Sequence, residues 1–401
     1  MGEVGPLSWD KEKIISGLES GKLLPSLSPL TIRLIELATD DNSSLKDIAA
    51  LIEKDPSLTI RILRLANSVF FRYGNPTKTV RQAVVRIGVR HTRLMALSLL
   101  LKDTFPMKKV GAADYRRFWR LSLYQGLIAQ SLAQRLEIGD AEEAFTAGLT
   151  LEIGLLVLLH AFVDPNEPAD IPWYPLSGLL EWERQKYGVD HREIGEFILT
   201  RWKFPASLIL CQKPTTTART LDDLVPLVRL CATASRLSAF ICEPKASLPE
   251  VFETVEFRFR LPKPLIHEIV ATALHKVEDL SRTFEVEVHS DRDTELIMKK
   301  ARAVLAQLSA KLREQRSPSD TRLPSLATSP KPGDSTDAVR YKLHAVEHEV
   351  HNPLTAVGGL VRMLAKTIDL TPEQAGHIKV MLAETERLEQ ALKEIGQTTR
   401  R

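Results

Sequence analysis

Helical periodicity is the feature that most constrains the fold of this chain. Apolar residues recur at three- and four-residue steps along most of its length, as at Val80, Val84 and Ile87, and this spacing places them on one face of an α-helix. Only two short stretches, 255–259 and 284–288, are weak strand candidates. No repeat of fixed period appears between residues 20 and 280, which disfavours a helical solenoid. We therefore predict an all-α protein.

The composition excludes several classes of protein. The 401 residues include 54 Lys and Arg against 51 Asp and Glu, and 44% are hydrophobic, so global disorder, collagen and a membrane protein are excluded. The longest apolar run, 153–159, is much shorter than the roughly 20 residues that a membrane span needs. The N-terminus has no apolar signal-peptide segment. The three cysteines form no CxxC pair. We predict a cytoplasmic protein without a membrane partner, disulfide framework or zinc knuckle.

A segment rich in Pro and Ser, from Arg316 to Ala338, offers almost nothing to a core and is typical of a linker. This segment separates a long helical region before it from a shorter helical region after it. The predicted organisation is an N-terminal extension (1–22), a helical domain (23–290), a connecting helix (291–316), a flexible linker (317–338) and an antiparallel helical hairpin (339–398).

Four groups of residues in the helical domain carry a family resemblance. They are Leu24–Leu27 (LPSL), Asp55–Leu58 with Arg64–Ser68, Val80–Leu94, and Gly188–His191 with Gly195 and Trp202. Together they resemble the HDOD family, a helical relative of the HD-type metal-dependent phosphohydrolases. The resemblance implies a helical fold of the HD type for most of the chain before the linker.

HD hydrolases hold one or two metal ions with His and Asp, because a metal-activated water attacks a phosphodiester at neutral pH. The resemblance implies where these ligands would lie, and only His191 is retained. The other positions are Leu121, Leu151, Glu152, Cys211, Gln212 and Thr233. We therefore expect a vestigial site with no metal, no cofactor and no phosphohydrolase activity, in which the His191 ring makes a structural hydrogen bond. His91 and His160 are also interpreted as structural.

A basic stretch from Arg61 to Lys102 contains nine Lys and Arg and no acidic residue. A concentrated positive face attracts phosphate, and Arg86, Arg90 and Arg93 are the candidate anion contacts. The alternative is a solvated face, or one paired with acidic residues elsewhere in the fold. Sequence-specific DNA binding is disfavoured, because no base-reading element follows the helix-turn-helix-like region.

Two apolar series at helical spacing, 343–368 and 378–395, predict the C-terminal hairpin. Two helices bury little apolar surface alone. A second copy would close a four-helix bundle, so we predict a homodimer.

The first hairpin helix contains His348-Glu349-Val350-His351-Asn352-Pro353-Leu354. This segment resembles the H-box of the dimerisation and phosphoacceptor (HisKA) domain of histidine kinases. The resemblance implies that His348 is the phosphoacceptor, supported by Glu349, Asn352 and Pro353. Helical geometry turns His348 away from the apolar seam, Glu349 can accept its proton, and Pro353 loosens the helix. The alternative is a dimerising hairpin with an accidental motif.

No glycine-rich ATP lid occurs in the sequence. We expect a bacterial signal-transduction regulator in which a non-catalytic HDOD domain binds a protein or ligand and is coupled to a phosphoacceptor-like hairpin. Its expected partners are a kinase or a response-regulator receiver domain. Two alternatives remain: a sensor histidine kinase whose ATP-binding domain lies outside this chain, and a nucleotide- or nucleic-acid-binding regulator.

Overall fold

A computed structural model describes most of the chain. The described residues are 11–24, 26–38, 44–68, 71, 75–105, 107–162, 171–213, 225–316 and 334–398. Within them the structure contains nineteen α-helices and no strand, so the all-α prediction is confirmed. The helices are α1 (Lys11–Glu19), α2 (Pro29–Ala38), α3 (Leu45–Ile52), α4 (Pro56–Ala66), α5 (Val80–Ile87), α6 (Val89–Thr104), α7 (Met107–Val110), α8 (Ala112–Leu136), α9 (Ala141–Leu149), α10 (Ile153–Phe162), α11 (Leu176–Tyr187), α12 (His191–Arg201), α13 (Ala206–Leu210), α14 (Pro226–Cys242), α15 (Leu248–Phe259), α16 (Lys263–Thr283), α17 (Ser290–Arg316), α18 (Asp334–Thr367) and α19 (Pro372–Thr398).

Neither strand candidate forms a strand. Residues 255–259 lie in α15, where Phe252, Val255 and Phe259 are buried at helical spacing, so the 3.6-residue period decides the structure. Residues 284–288 bury alternate side chains as a strand would. However, Glu285 has a φ of 51°, in the left-handed region, and this interrupts the extended backbone.

The start of α3 shows why local sequence signals predict helix ends well. Ser44 and Asp47 form a reciprocal capping box, in which each side chain bonds to the backbone N–H of the other residue. Thr371 and Gln374 form the same arrangement before α19. Each box satisfies backbone donors that the first helical turn leaves without partners. In both capping boxes the two residues are three positions apart in the sequence.

The chain divides into two compact units, residues 1–243 with 273–290 and residues 244–272 with 291–401. In the first unit, α8 is buried along most of its length and packs against α9 and α14. The contact between α8 and α9 is close because Gly148 has no side chain. A Cβ atom there would lie 2.6 Å from the Gln125 carbonyl oxygen.

The second unit contains α15, residues 263–272 of α16, α17 and the hairpin formed by α18 and α19. The turn between the hairpin helices is closed by the capping box at Thr371, as the hairpin prediction requires. Helix α18 begins at Asp334, five residues before the predicted start of the hairpin at 339. Residues 317–333 of the predicted linker lie outside the described residues.

The apolar seam of the hairpin is buried within the chain. Its buried members are Val350, Leu354, Val357, Val361, Leu364, Ile378, Met381, Leu388 and Leu392. Helix α15 packs against α18, and Ser309 of α17 bonds to Glu384 of α19. The shortage of buried surface that led us to predict a homodimer is therefore met, in this structure, by other helices of the same unit.

One stretch, Ala141–Ala161, has the length and hydropathy of a membrane span. It comprises α9 and α10, which are separated by residues 150–152. Of the 18-residue apolar segment within this stretch, 89% is buried inside the protein, as in the core helices of a folded domain.

Candidate functional sites

The retained histidine of the HD-like region lies at the centre of a buried ionic network. His191 is the first residue of α12, which begins after the N-cap Asp190. Its Nδ1 lies 2.7 Å from Glu183 Oε2, and its Nε2 lies 2.8 Å from Glu152 Oε2. The side chains of all three residues are at most 1% exposed.

The backbone brings these groups together through a close helix contact. Gly154, the second residue of α10, lies against the first residues of α12, where a Cβ atom would lie only 1.8 Å from the His191 carbonyl oxygen. Glu152 therefore projects from the turn before α10 onto the His191 ring. Glu183 reaches the other ring nitrogen from α11 and also accepts the His191 backbone N–H at 2.9 Å.

Two further side chains complete the network around Glu152. Arg192 Nη2 donates to Glu152 Oε1 at 2.7 Å, and Gln125 Nε2 donates to the same oxygen at 2.7 Å. With His191 protonated, two cations face the two carboxylates of Glu152 and Glu183. This balance compensates the cost of burying the charges.

The ionisation of the network follows from these contacts. Burial by itself raises the pKa of Glu152, but the Arg192 guanidinium and the His191 ring reverse this effect and lower it to about 2. Burial lowers the pKa of His191, but the Glu183 and Glu152 carboxylates raise it to about 9. His191 is therefore cationic at neutral pH.

These residues do not fit a catalytic metal ion. Both ring nitrogens of His191 are bonded to carboxylates, and in the protonated ring neither nitrogen has a lone pair for a metal ion. Instead, the Arg192 guanidinium contacts Glu152 and supplies positive charge there. We derive no hydrolytic step at this centre.

The remaining vestigial positions are all buried. Gln212 Nε2 donates to the Thr150 carbonyl oxygen at 3.2 Å, and the Arg192 guanidinium lies 3.5 Å from the Cys211 carbonyl oxygen. Gln212 and Cys211 therefore join the same centre as Glu152 and His191. The others are apolar or bonded to their own helix: Leu121, Leu151 and Thr233. Sequence reasoning missed Glu183, Arg192 and Gln125, of which only Arg192, next to His191, lies near a recognised motif.

Part of the basic stretch is paired inside the fold. Arg61 is 1% exposed and forms a two-pronged ion pair with Asp103. Arg86 donates to the backbone carbonyl oxygens of Ala66 and Asn75. The side chains of Arg90 and Arg93 lie outside the described residues. The described contacts support the internally paired interpretation of this stretch.

The H-box lies in α18. The side chains of His348 and Glu349 are outside the described residues, but the backbone is helical through both. Asn352 Oδ1 accepts a hydrogen bond from Lys263 Nζ of α16 at 3.3 Å, and Lys263 also pairs with Glu256 of α15 at 3.2 Å. Pro353 lies inside the helix, as the H-box resemblance implies.

Two adjacent glycines bring α18 close to two different helices. A Cβ atom on Gly359 would lie 2.1 Å from His267 Cε1 of α16, and one on Gly358 would lie 2.5 Å from Thr385 Cγ2 of α19. Burial lowers the pKa of His267 to about 4, although a hydrogen bond with the Ala356 backbone acts in the opposite direction. His267 therefore packs on Gly359 as a neutral ring at pH 7.

An open cavity of about 820 Å³ borders the H-box in the second unit. Asn352 lines it together with residues of α15 and the segment that follows, including Glu253, Glu256, Phe257 and Arg260. Phe257 is 86% exposed. The surface around the H-box of α18 is thus shared with α15.

Comparisons with known proteins match both parts of the chain. Residues 24–214 match the HDOD domain, and residues 342–400 match the His Kinase A (phospho-acceptor) domain. An uncharacterized protein of Treponema pallidum (strain Nichols) is 25% identical over 198 residues. That match spans 46% of this chain and 36% of the relative, so the chain covers well under half of the relative's length.

Solved structures share the fold. A proposed signal transduction protein from Marinobacter aquaeolei VT8 is 21% identical, with a TM-score of 0.50 over 67% of this chain and 60% of that one. A proposed metal-dependent phosphohydrolase from Shewanella amazonensis SB2B is 22% identical, with a TM-score of 0.51 over 68% of this chain and 96% of that one. These similarities concern the fold alone.

The chain therefore contains an HDOD domain at residues 24–214 and a HisKA domain at residues 342–400, and together these two domains support a role in signalling.

Proposed function

We propose that this protein is a cytoplasmic signal-transduction regulator whose HDOD domain binds a protein or ligand and whose hairpin accepts a phosphoryl group on His348. The observation that carries the proposal is the packing of α18 against α16, both within the H-box at Asn352 and just after it at Gly359. Lys263 holds Asn352, and His267 packs on Gly359. The helices that follow the HDOD match therefore contact the phosphoacceptor helix.

The chemistry at His348 is a phosphoryl transfer. An imidazole nitrogen of His348 attacks the phosphorus atom, the bond from phosphorus to the leaving oxygen breaks, and Glu349 accepts the imidazole proton. The phosphoryl group comes from ATP bound to a partner kinase or from the phosphoaspartate of a receiver domain. Either partner must approach α18 from the side that holds the H-box.

The packing of the hairpin suggests how a signal reaches His348. In the docked state the apolar seam is covered and Asn352 is engaged by Lys263. Release from α15 and α16 would free the H-box for a partner. It would also expose the apolar seam, which a second copy can cover in a four-helix bundle. The predicted homodimer then belongs to the released state.

The buried HD-like centre supports a binding role for the HDOD domain rather than a catalytic one. Its charged groups pair with one another, and His191, Glu152 and Glu183 have almost no exposed surface. A phosphodiester cannot reach these groups without breaking buried ion pairs, which is costly. A partner or ligand would therefore bind elsewhere on the domain.

The direct test is phosphotransfer to the full chain. We expect label from ATP in the presence of a cognate kinase, or from a phosphorylated receiver domain, and we expect it to be acid-labile as a phosphohistidine is. His348→Gln should abolish the label, whereas the matched controls His351→Gln and His377→Gln should retain it. Label that persists in His348→Gln would refute the assignment.

The same experiment separates the alternatives. Labelling by ATP alone would support a kinase activity within the chain itself. An absence of label with every partner tested would leave the hairpin as a dimerisation or docking element. The nucleic-acid alternative predicts salt-sensitive binding, and the engagement of Arg61 and Arg86 inside the fold weakens it.

A further inference from the structure

A second cluster of ionisable side chains lies in the first unit, apart from the HD-like centre. His91, in the first turn of α6, faces Asp140 and Glu142 at the start of α9. The distances from His91 Nε2 are 3.4 Å to Asp140 Oδ1 and 3.2 Å to Glu142 Oε2. About a quarter of each side chain is exposed, so the cluster is accessible to small solutes.

The hydrogen bond of the other ring nitrogen defines the tautomer of His91. Nδ1 lies 2.9 Å from the Ile87 carbonyl oxygen, and because a carbonyl only accepts, Nδ1 carries a hydrogen atom. In the neutral ring Nε2 therefore presents a lone pair to two carboxylates. Three electron-rich atoms at this separation repel one another unless a cation, either a proton on Nε2 or a metal ion, lies among them. Metal-binding histidines commonly donate their other N–H to a backbone carbonyl in this way.

The distances are compatible with a metal ion bound among the three atoms. A charge-assisted hydrogen bond from an imidazolium brings nitrogen and oxygen to about 2.7–2.9 Å. Two ligands of a tetrahedral Zn²⁺ ion, bound at about 2.0–2.1 Å, lie about 3.3 Å apart. The separations of 3.2 and 3.4 Å fit the second arrangement better.

We propose that His91, Asp140 and Glu142 bind a divalent transition-metal ion, with Zn²⁺ as the best fit to a set of one nitrogen and two carboxylate ligands. The two carboxylates supply enough negative charge to outweigh the partial positive charge of the α9 N-terminus. The backbone N–H groups of Glu142 and Glu143 donate to Asp140 Oδ1 and fix the orientation of that carboxylate.

The three protein side chains do not complete a tetrahedral coordination shell. Three protein ligands leave the fourth tetrahedral position for water or an anionic oxygen. A small, mostly apolar cavity adjoins the cluster and is lined by His91, Glu142, Leu65, Met95 and Leu280 among others. The ion also links α6 to α9, two helices that pack together. This assignment departs from our sequence-based expectation of no metal, in which His91 was interpreted as structural.

Titration of the tag-free, EDTA-treated full chain with Zn²⁺ tests the proposal. We expect about one equivalent to bind by calorimetry, and Co²⁺ in its place should give the visible absorption of a tetrahedral site. His91→Gln and Glu142→Gln should each weaken binding by more than about tenfold. The exposed His275 provides the matched control, because His275→Gln removes an imidazole and leaves the cluster intact.

Two results would overturn the proposal. One is the absence of metal uptake by the wild-type chain. The other is uptake that is unchanged in both His91→Gln and Glu142→Gln, which indicates adventitious binding elsewhere. Asp140→Ala is not a suitable variant, because Asp140 caps α9 and the loss of its side-chain oxygen would destabilise the helix itself. Circular dichroism of each variant verifies that the fold is retained.

Discussion

Gly359 offers the sharpest test of whether α18 docks on α16. The variant Gly359→Ala adds a single methyl group at the contact with His267. That group would lie 2.1 Å from His267 Cε1 and 2.4 Å from Nδ1. Ordinary contact begins at about 3.4 Å, so the His267 ring or the helix must retreat by roughly 1.3 Å.

The size of the effect follows from two opposing terms. Overpacking of this kind costs about 1–3 kcal/mol, whereas Ala instead of Gly favours a helix by about 1 kcal/mol. The helix term is present in both the docked and the released hairpin, so it does not change the docking equilibrium. The clash exists only in the docked state and should shift that equilibrium roughly 5- to 150-fold towards release.

Hydrogen exchange measured by mass spectrometry reports this shift. We expect faster exchange in residues 248–259 of α15 and in residues 350–361 of α18. Gly376→Ala is the matched control, because it makes the same change in α19 where no atom lies within 4 Å of the added Cβ. Gly358→Ala should instead perturb the packing of α18 on α19 at Thr385. If Gly359→Ala exchanges like Gly376→Ala, the docking argument is wrong.

Two predictions concern buried histidines. His191→Gln removes the cation between Glu183 and Glu152 and should lower the free energy of unfolding by about 3–5 kcal/mol in urea at pH 6. Folding raises the pKa of His191 from 6.5 to about 9. The contribution of His191 to the free energy of unfolding is therefore complete below pH 6.5 and is lost as the pH rises to 9. The variant should lack this pH-dependent loss of stability. Folding lowers the pKa of His267 from 6.5 to about 4, so docking should weaken as the pH falls from 6.5 to 4. Small-angle scattering should show the weaker docking as an increase in the radius of gyration between pH 6.5 and pH 4. A similar increase in His267→Gln would contradict the assignment.

Local features of the fold could be predicted from the sequence. The capping boxes at Ser44 and Thr371 depend on residues three positions apart, and the hairpin depends on steps of three and four residues. The physical interactions behind these signals lie within one or two helical turns. The weak strand candidate at 255–259 was wrong because it treated five residues alone, whereas Phe252 extends the same buried face by a turn.

The partners of the buried centre could not be predicted in the same way. Glu183 and Gln125 reach the network from α11 and α8, and neither has a spacing to His191 that signals a contact. The apolar seam of the hairpin shows the same limit. Its periodicity establishes that something must cover it. The sequence favours a second copy, whereas in the structure the seam is buried within the chain and α15 packs against α18. Identifying the covering surface requires the tertiary fold.

The two candidate sites differ in how readily they can change. Opening the HD-like centre separates buried ion pairs among Glu152, His191 and Arg192, and each charge left alone is costly. The contacts of α18 with α16 are a 3.3 Å hydrogen bond at Asn352 and the packing of one neutral ring on a glycine, which are weaker interactions. A ligand shifts a two-state equilibrium only as far as it binds one state better than the other. In the proposed mechanism, the contacts with α16 therefore oppose release only weakly, and the larger cost of release is the exposure of the apolar seam, which a second copy would offset by covering it.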